Sequence, residues 1–465
     1  MKKILTLLLA LWMLTGCVAM AAENQLVVGS TTAMSGAFFT DLFGSNTADM
    51  DVRALLHGYN LMSWDHETGT YQINDSVVAG MAVSRDAQNN RVYTFDLYGD
   101  LKFSDGSAIT AKDYAFSILL TASPELAKLG GQSAAVGAIL GMDAYQSGKS
   151  SVLRGVRLLS DTQMSITISK AYEPYFYEMA LFDYSPYPIS VLAPGCKVVD
   201  TEKGVGIVNA SGTGGAIFTA DLLQKTILDA ATGYMSHPSV VSGPYTLTSY
   251  DAQSATASFA INPYYKGNED GEKPTIETIV YRSVANDEAI DLLLRGEVDL
   301  LNKMVAADTI SKGIQSTADQ PFAVANYPRS GLSMISFSCE RQTVSGKAVR
   351  QAIASCFDRD ALVKAYTGNF GLKANGYFGI GQWMYQLAAG TIQPPVVDLP
   401  ANATAKETAA YEKTVAQWDA LSLDKLKDYP LDLDQAAKLL DQDEWRLGKD
   451  GIRAKKIDGK TVTLD

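Results

Sequence analysis

The sequence predicts an α/β protein, because short strands and amphipathic helices alternate along a chain long enough to bury large cores. Apolar and polar residues alternate over Val92–Tyr98 and again over Met164–Ser169, as they do in strands with one buried face. Between two later strand-like segments, apolar residues of Ala289–Leu293 fall on one helical face. The 465 residues are 47% apolar, and such a length corresponds to about two to four domains. Alternation of this kind is typical of α/β folds.

Local signals predict the first elements. Gln25–Gly29 is apolar and runs into a polar turn, which predicts a short strand. Thr110 and Asp113 form a Thr-x-x-Asp capping pattern, which predicts a helix start ahead of Tyr114–Leu120. Residues 203–215 are rich in glycine, and this composition predicts a flexible loop.

The later elements follow in the same way. Ile276–Tyr281 and Val298–Leu301 are strand-like, and Gly296 is placed to end the helix between them. Apolar residues of Val349–Cys356 recur at three-to-four spacing, which predicts a helix with a buried stripe. Residues 387–430 shift towards proline and then towards alanine, glutamate and lysine, which predicts an exposed insertion with one polar helix.

The chain begins with a segment typical of an export signal. Two lysines precede the apolar run Ile4–Leu14, which is too short to cross a bilayer. The run ends in Leu14-Thr15-Gly16-Cys17, which is similar to the bacterial lipobox. Residues 1–16 are therefore predicted to be a signal peptide, and Cys17 the lipidation site. The alternative is ordinary cleavage beside Ala19-Met20-Ala21, which would leave Cys17 as a free cysteine.

Three further cysteines follow, namely Cys196, Cys339 and Cys356. An odd count allows at most one internal disulfide, and export permits one. Cys339 is predicted on a strand and Cys356 on a helix. The sequence leaves a bridge between these two open, and the favoured interpretation is that both are small buried apolar residues.

Composition and motifs argue against several classes of function. The formal net charge is −12, whereas a nucleic-acid binder needs lysine and arginine to replace phosphate counterions. Only three histidines occur, which disfavours a histidine-rich metal site or a histidine-dependent enzyme. Ser147–Ser150 is similar to the end of a phosphate loop, but Asp143 stands where that loop requires glycine. The prediction is a protein that is no enzyme, binds no nucleic acid and carries no metal or cofactor.

A series of short motifs gives a more specific indication. In chain order the motifs are Leu101–Asp113, Ser242–Leu247, Ile261–Gly267, Lys273–Ile276, Leu294–Asp299, Lys347–Arg359 and Asp434–Ile452. In this order they resemble the extracellular solute-binding proteins of ABC importers, family 5, the class that includes oligopeptide-, dipeptide- and nickel-binding proteins. The resemblance covers essentially the whole chain after the export signal.

The resemblance implies a two-lobed, periplasmic-binding-protein-like fold of type II, in the large class with an extra domain. Mapped onto this sequence, residues 24–55 and 190–318 form the core domain of the first lobe. Residues 56–189 form the extra domain, and residues 322–465 form the domain of the second lobe. Because the family's second lobe continues past the equivalent of Asp465, this lobe is expected to be incomplete.

The same resemblance implies a function. The chain is expected to be an exported lipoprotein, in the periplasm or at the outer face of the cell membrane, that captures a solute between its lobes. Oligopeptides are the expected ligands, and an ABC permease with its ATPase are the expected partners. Two alternatives stay open: a receptor for a nickel chelate or an oligosaccharide on the same fold, and a peptide-sensing receptor that is not coupled to import.

Candidate ligand contacts also come from the resemblance. The segment Thr31–Phe39 resembles the part of the first lobe that faces the cleft, and it supplies Thr31, Ser35 and Phe38. Tyr377 and Trp383 follow the helix that ends in Asp-Arg, where the family places cleft residues. For Trp383 the alternative is packing in a core or loop, because large aromatic side chains are often simply buried.

Overall fold

A computed structural model gives the fold of the chain in two compact units, the first ending at Met304 and the second beginning at Val305. The described residues are 24–65, 70–132, 137–173, 175, 177–317, 321–327, 332–368, 370–392, 399 and 403–464. The predicted signal peptide and Cys17 lie outside them. The domain boundaries expected from the sequence stay predictions.

In the first unit helices lie between groups of strands, whereas in the described part of the second unit a run of helices precedes three strands. The strands are β1 (Gln25–Ser30), β2 (Met62–Asp65), β3 (Thr70–Ile73), β4 (Val78–Arg85), β5 (Arg91–Leu97), β6 (Val152–Leu153), β7 (Val156–Leu158), β8 (Gln163–Ile168), β9 (Cys196–Thr201), β10 (Gly204–Asn209), β11 (Tyr245–Asp251), β12 (Thr256–Ile261), β13 (Thr278–Ser283), β14 (Leu300–Asn302), β15 (Arg446–Leu447), β16 (Arg453–Ile457) and β17 (Lys460–Leu464). The helices are α1 (Thr47–Leu56), α2 (Ala111–Thr121), α3 (Pro124–Ala127), α4 (Met142–Gln146), α5 (Ile189–Leu192), α6 (Ala220–Thr226), α7 (Ala289–Leu294), α8 (Ala307–Thr317), α9 (Gln342–Ser345), α10 (Lys347–Ala354), α11 (Arg359–Thr367), α12 (Trp383–Ala388), α13 (Ala405–Asp419) and α14 (Leu433–Gln442). None of the helices in the described part of the chain has the length and apolar content that crossing a membrane requires.

A five-stranded mixed sheet in the first unit positions the candidate site. Its order is β11-β12-β13-β1-β14, with β1 parallel to its neighbours β13 and β14 and with β11 to β13 antiparallel. Helix α1 contributes Val52 and Leu56 to a buried cluster that also holds Phe38 and Phe259. The predicted strand at Gln25–Gly29 is confirmed, because β1 takes these residues and pairs on both edges.

A four-stranded antiparallel sheet, in the order β4-β5-β8-β7, forms a second layer of the first unit. Helix α2 begins at the predicted cap, where the backbone nitrogen and the hydroxyl of Thr110 donate to Asp113 at 2.8 and 2.9 Å. Nearly all residues of α2 are buried, which explains why Tyr114–Leu120 is apolar apart from Ser117. Burial also raises the pKa of the Asp113 carboxyl to about 6.

The glycine-rich segment 203–215 corrects the sequence-based prediction of a flexible loop. Its first part is strand β10, which pairs with β9 along its length and with β6 at one end. A Cβ atom on Gly204 would lie 2.4 Å from the carbonyl oxygen of Leu153. Glycine here permits a close approach of two strands, and the composition that indicated a loop in fact marks tight pairing.

The second unit is built on helices α10 and α14, which pack against each other. Val349 and Ala352 of α10 and Ala436 of α14 are buried, as is Trp445 just beyond α14. Strands β15, β16 and β17 form an antiparallel sheet. The predicted helix over Val349–Cys356 is confirmed apart from its last two residues, and α13 has no buried residue, as predicted for a polar helix in an exposed insertion.

The three cysteines of the described residues are free. Cys196 is buried in the first unit, whereas Cys339 and Cys356 are exposed in the second. The interpretation of the latter pair as buried residues is therefore wrong. Helix α10 ends at Ala354, so its buried stripe stops before Cys356, and Cys339 lies in a turn instead of the predicted strand.

Candidate functional site

Three parallel strands of the first unit end at one edge of the five-stranded sheet. Strand β1 ends at Ser30, β13 at Ser283 and β14 at Asn302, and these residues are neighbours in register. In open α/β sheets, ligands bind outside the carboxyl ends of the strands. This edge, together with the segment 31–39 that leaves β1, is the candidate site within the first unit.

The first half of segment 31–39 is held by the start of helix α1. Asp49 is fully buried, and its carboxylate accepts hydrogen bonds from the backbone nitrogen and hydroxyl of Ser35 at 2.8 and 2.6 Å. The same carboxylate accepts from the backbone nitrogen of Gly36 at 3.2 Å. Asn46, which caps α1, donates its side-chain amide to the carbonyl of Ala33 at 2.9 Å. These bonds to buried or capping groups fix the path of the segment before any ligand arrives.

The second half of the segment is held by the end of the same helix. Arg53 donates to the carbonyl of Ala37 at 2.8 Å, and the Nε2 atom of His57 donates to the carbonyl of Phe38 at 2.9 Å. Burial, and then the charge of Arg53, lower the pKa of the His57 imidazole to about 4. The ring is neutral at physiological pH, and its bond to Phe38 fixes the tautomer that carries the proton on Nε2.

A charged cluster joins helix α1 to the strand ends. The carboxylate of Asp51 accepts hydrogen bonds from the Tyr281 hydroxyl and the Asn302 side-chain amide, both at 2.8 Å, and forms an ion pair with Lys303. Burial raises the pKa of Tyr281 to about 12, so this hydroxyl keeps its proton and acts as a donor. Lys303 adopts a left-handed backbone conformation with φ of 55°, which is uncommon outside glycine. The cluster fixes the ends of β13 and β14 one residue before the first unit ends at Met304.

The predicted contacts in the first unit lie in different environments. Thr31 is half-buried directly after β1, and Ser35 is exposed but bonded to Asp49. Phe38 has 0% exposure and packs edge-on against Tyr250, with ring centroids 4.7 Å apart. With no exposed surface, the Phe38 side chain is a core residue here and has nothing to present to a ligand, because the apolar cluster under α1 encloses it.

The predicted contacts in the second unit are Tyr377 and Trp383. Tyr377 is 81% exposed in the irregular segment between α11 and α12. Trp383 begins α12, and its side chain lies outside the described part of the structure.

The residues that hold segment 31–39 and the strand ends in place were not identified from the sequence. Asn46 and Asp49 form a capping box, a pattern of two residues three apart that was available in the sequence. Asp51 and Lys303 are separated by 252 positions, so no local pattern could pair them. Among the described residues, no three histidine, cysteine, aspartate or glutamate side chains are grouped so as to hold a metal ion.

Comparisons with known proteins point to one family. A family model described as bacterial extracellular solute-binding proteins, family 5 Middle, matches residues 76–464. Oligopeptide-binding protein OppA of Lactococcus lactis subsp. lactis (strain IL1403) is 25% identical over 400 residues, covering 83% of this chain and 54% of its own. Periplasmic oligopeptide-binding protein OppA of Escherichia coli (strain K12) is 23% identical over 305 residues, covering 64% of this chain and 48% of its own. The chain thus spans about half the length of the curated relatives it matches.

Solved structures share the fold. Lactococcal OppA complexed with an endogenous peptide in the closed conformation is similar with a TM-score of 0.60 at 19% identity, covering 94% of this chain and 70% of that one. NikZ from Campylobacter jejuni in complex with Ni(L-His) is similar with a TM-score of 0.57 at 15% identity, covering 94% and 66%. These likenesses show the fold of the type II periplasmic binding proteins and confirm the predicted fold class.

Proposed function

The chain belongs to the bacterial extracellular solute-binding proteins of family 5, and from that premise we propose that it captures oligopeptides and delivers them to an ABC importer. The observation that carries the proposal is the match of this family to residues 76–464, with oligopeptide-binding proteins among the curated relatives. In the family's manner the ligand would lie in a cleft between two lobes. The candidate surface for it within the first unit is the edge that segment 31–39 and the strand ends form.

The geometry of segment 31–39 suits an extended ligand. Ala33 and Ser35 are exposed, and Asn46 and Asp49 hold them through the carbonyl of Ala33 and the backbone nitrogen of Ser35. A segment already held in place loses little conformational entropy when it binds. Backbone hydrogen bonds to an extended peptide are similar for any peptide sequence, so this mode of binding tolerates varied side chains.

Location and partners are part of the same proposal. Leu14-Thr15-Gly16-Cys17 supports export and lipid attachment through Cys17, which would keep the protein close to a permease and its ATPase in the membrane. The fold by itself does not select the ligand, because one fold hosts many binding functions. A nickel chelate or an oligosaccharide is the alternative ligand, and sensing without import is the alternative role.

Calorimetry on the purified 465-residue chain tests the ligand class. Peptides of about two to eight residues, a length that one extended strand spans in a cleft, are titrated alongside Ni(L-His) and an oligosaccharide. We expect several unrelated peptides of equal length to bind with similar affinity. Binding of the chelate or the sugar, with no binding of any peptide, would refute the peptide assignment and leave the family intact.

A further inference from the structure

A cavity of about 300 Å³ opens in the first unit, beside the four-stranded sheet and apart from the five-stranded sheet of the candidate site. Its walls come from separate segments of the chain. The polar residues that line it are Asp86, Gln88, Asn90, Arg154, Arg157 and Thr167. The volume lies at the small end of the range for small-molecule sites, about 300–1,000 Å³.

Arg157 is held in a fixed orientation at one wall. Its Nε atom donates to both carboxylate oxygens of Asp200, at 2.9 and 3.1 Å. Asp200 also accepts the backbone nitrogen of Leu158 at 3.0 Å, which holds the carboxylate in turn. A guanidinium group has five N–H donors, and among the described residues the bonds of Arg157 use only the one on Nε. The terminal nitrogens keep their donors for a further partner.

Arg154 lies in the tight turn between β6 and β7. The residue is exposed, and its guanidinium group forms no hydrogen bond or ion pair with any residue that the structure describes. The turn itself is closely packed, since a Cβ atom on Gly155 would lie 2.7 Å from the backbone nitrogen and oxygen of Leu140. The turn therefore carries a charged group that has no hydrogen-bond partner among the described residues.

The cavity is also lined by the carboxylate of Asp86, whose oxygens already accept hydrogen bonds. Asp86 accepts hydrogen bonds from the backbone nitrogens of Gln88 and Asn90, at 2.9 and 2.8 Å, and from the Asn90 amide at 2.9 Å. These bonds, led by that of the Asn90 side chain, lower the pKa of Asp86, and the charge of Arg154 adds to the effect. The Asn90 side chain is fixed in turn because its oxygen accepts the backbone nitrogen of Lys170 at 3.1 Å. Asp86 is thus bonded within its own turn, and it interacts with Arg154 through charge without a hydrogen bond between the two side chains.

We propose that this cavity is a second binding site, which takes a small oxyanion, a carboxylate or a phosphate, between the guanidinium groups of Arg154 and Arg157. The planar fork of arginine matches the oxygens of both ligand groups and forms short, charge-assisted bonds with them. The carboxylates of Asp200 and Asp86 offset part of the two positive charges, so the N–H donors that remain on the guanidinium groups are what an anion would bind. The site is independent of the proposed peptide binding.

Titration of the full chain with inorganic phosphate and, separately, with acetate tests the proposal. Binding is followed through the arginine Nε–Hε signals in nuclear magnetic resonance spectra and through the melting temperature. We expect Arg154→Gln to weaken phosphate affinity at least tenfold, since it removes one of two charged contacts, while the melting temperature without ligand stays unchanged. Arg157→Lys keeps a positive charge beside Asp200 but removes the fork, and it should weaken binding as well.

The matched control is Arg295→Gln, which removes an exposed arginine that pairs with Glu297 on the surface of the same unit. Binding of both anions supports a general oxyanion site, and binding of one identifies the ligand group. Equal phosphate affinity in Arg154→Gln, in Arg295→Gln and in the unaltered chain would overturn the proposal. So would the absence of any binding by either anion.

Discussion

Protonation of His57 provides a quantitative test of how segment 31–39 is held. In the folded protein the pKa of this imidazole is about 4, compared with about 6.5 in an unfolded chain. A lowered pKa means that the folded state favours the neutral ring. Its contribution to the free energy of unfolding is therefore complete above pH 6.5 and is lost as the pH falls towards 4. At 1.36 kcal/mol per pKa unit, the loss by pH 4 is at most about 3 kcal/mol, an upper value because His57 keeps some contact with solvent.

The unaltered protein will not show this effect directly. Burial raises the pKa of Asp113 to about 6, above its unfolded value of 3.8. Asp113 therefore destabilises the folded state at neutral pH, and its protonation between pH 6 and 4 relieves that cost. The two groups act in opposite directions over the same pH range, so the pH dependence of the whole protein is a poor measure of either.

Comparing the unaltered protein with the His57→Gln variant separates the contribution of His57 from that of Asp113. The glutamine amide can donate to the carbonyl of Phe38 as the imidazole does, but it does not titrate. Urea unfolding of both proteins between pH 4 and 7, followed by circular dichroism and fitted with one transition for each unit, gives the difference in free energy of unfolding. We expect the advantage of the histidine protein to shrink by up to about 3 kcal/mol on acidification. A difference that is constant with pH, or a His57 ring that titrates near 6.5 in the folded protein, would refute the reasoning.

Three further outcomes are expected. Asp49→Ala should release segment 31–39 and leave the former donors to Asp49 unpaired, which lowers the free energy of unfolding by about 1–3 kcal/mol. If the proposed function is right, calorimetry should also show weaker peptide binding. Unchanged peptide affinity would show that the segment does not contribute to ligand binding. Gly204→Ala should lower the melting temperature, because its Cβ atom would collide with Leu153, whereas Gly215→Ala, which adds a Cβ atom to open space, should not; equal melting temperatures would count against the close strand pairing. Cys17→Ser should move the protein from the detergent phase to the aqueous phase in a partitioning assay, and unchanged partitioning would rule out the lipid anchor.

Features that depend on neighbouring residues were predictable. The capping pair Thr110 and Asp113 identified the start of α2, because both partners of that motif lie within one helical turn. The apolar run that begins at Leu26 identified β1 in the same way. The glycines of β10 led to the wrong prediction of a flexible loop. Glycine is compatible both with a flexible loop and with close packing of two strands, and only the position of β6 shows which of the two applies here.

The candidate site was less predictable because its contacts are distant in sequence. The family resemblance located segment 31–39, but it could not show that Phe38 faces inward, since that depends on the packing of α1 against the sheet. The ion pair between Asp51 and Lys303 joins two residues that only the completed sheet brings together. The family resemblance therefore identified a candidate segment, whereas the tertiary fold determines which of its side chains are exposed.

The positions of the cysteines allow unfolding of the first unit to be followed by thiol labelling. Cys339 and Cys356 are exposed in the second unit, so a maleimide dye should label them in the native state. Cys196 is enclosed in the first unit, and burial raises the pKa of its thiol, which lowers its reactivity further. With Cys17 replaced by serine, a pulse of dye would mark Cys196 only in molecules whose first unit has opened. Mass spectrometry of the labelled peptides could then time the opening of that unit in the purified protein, without any engineered cysteine.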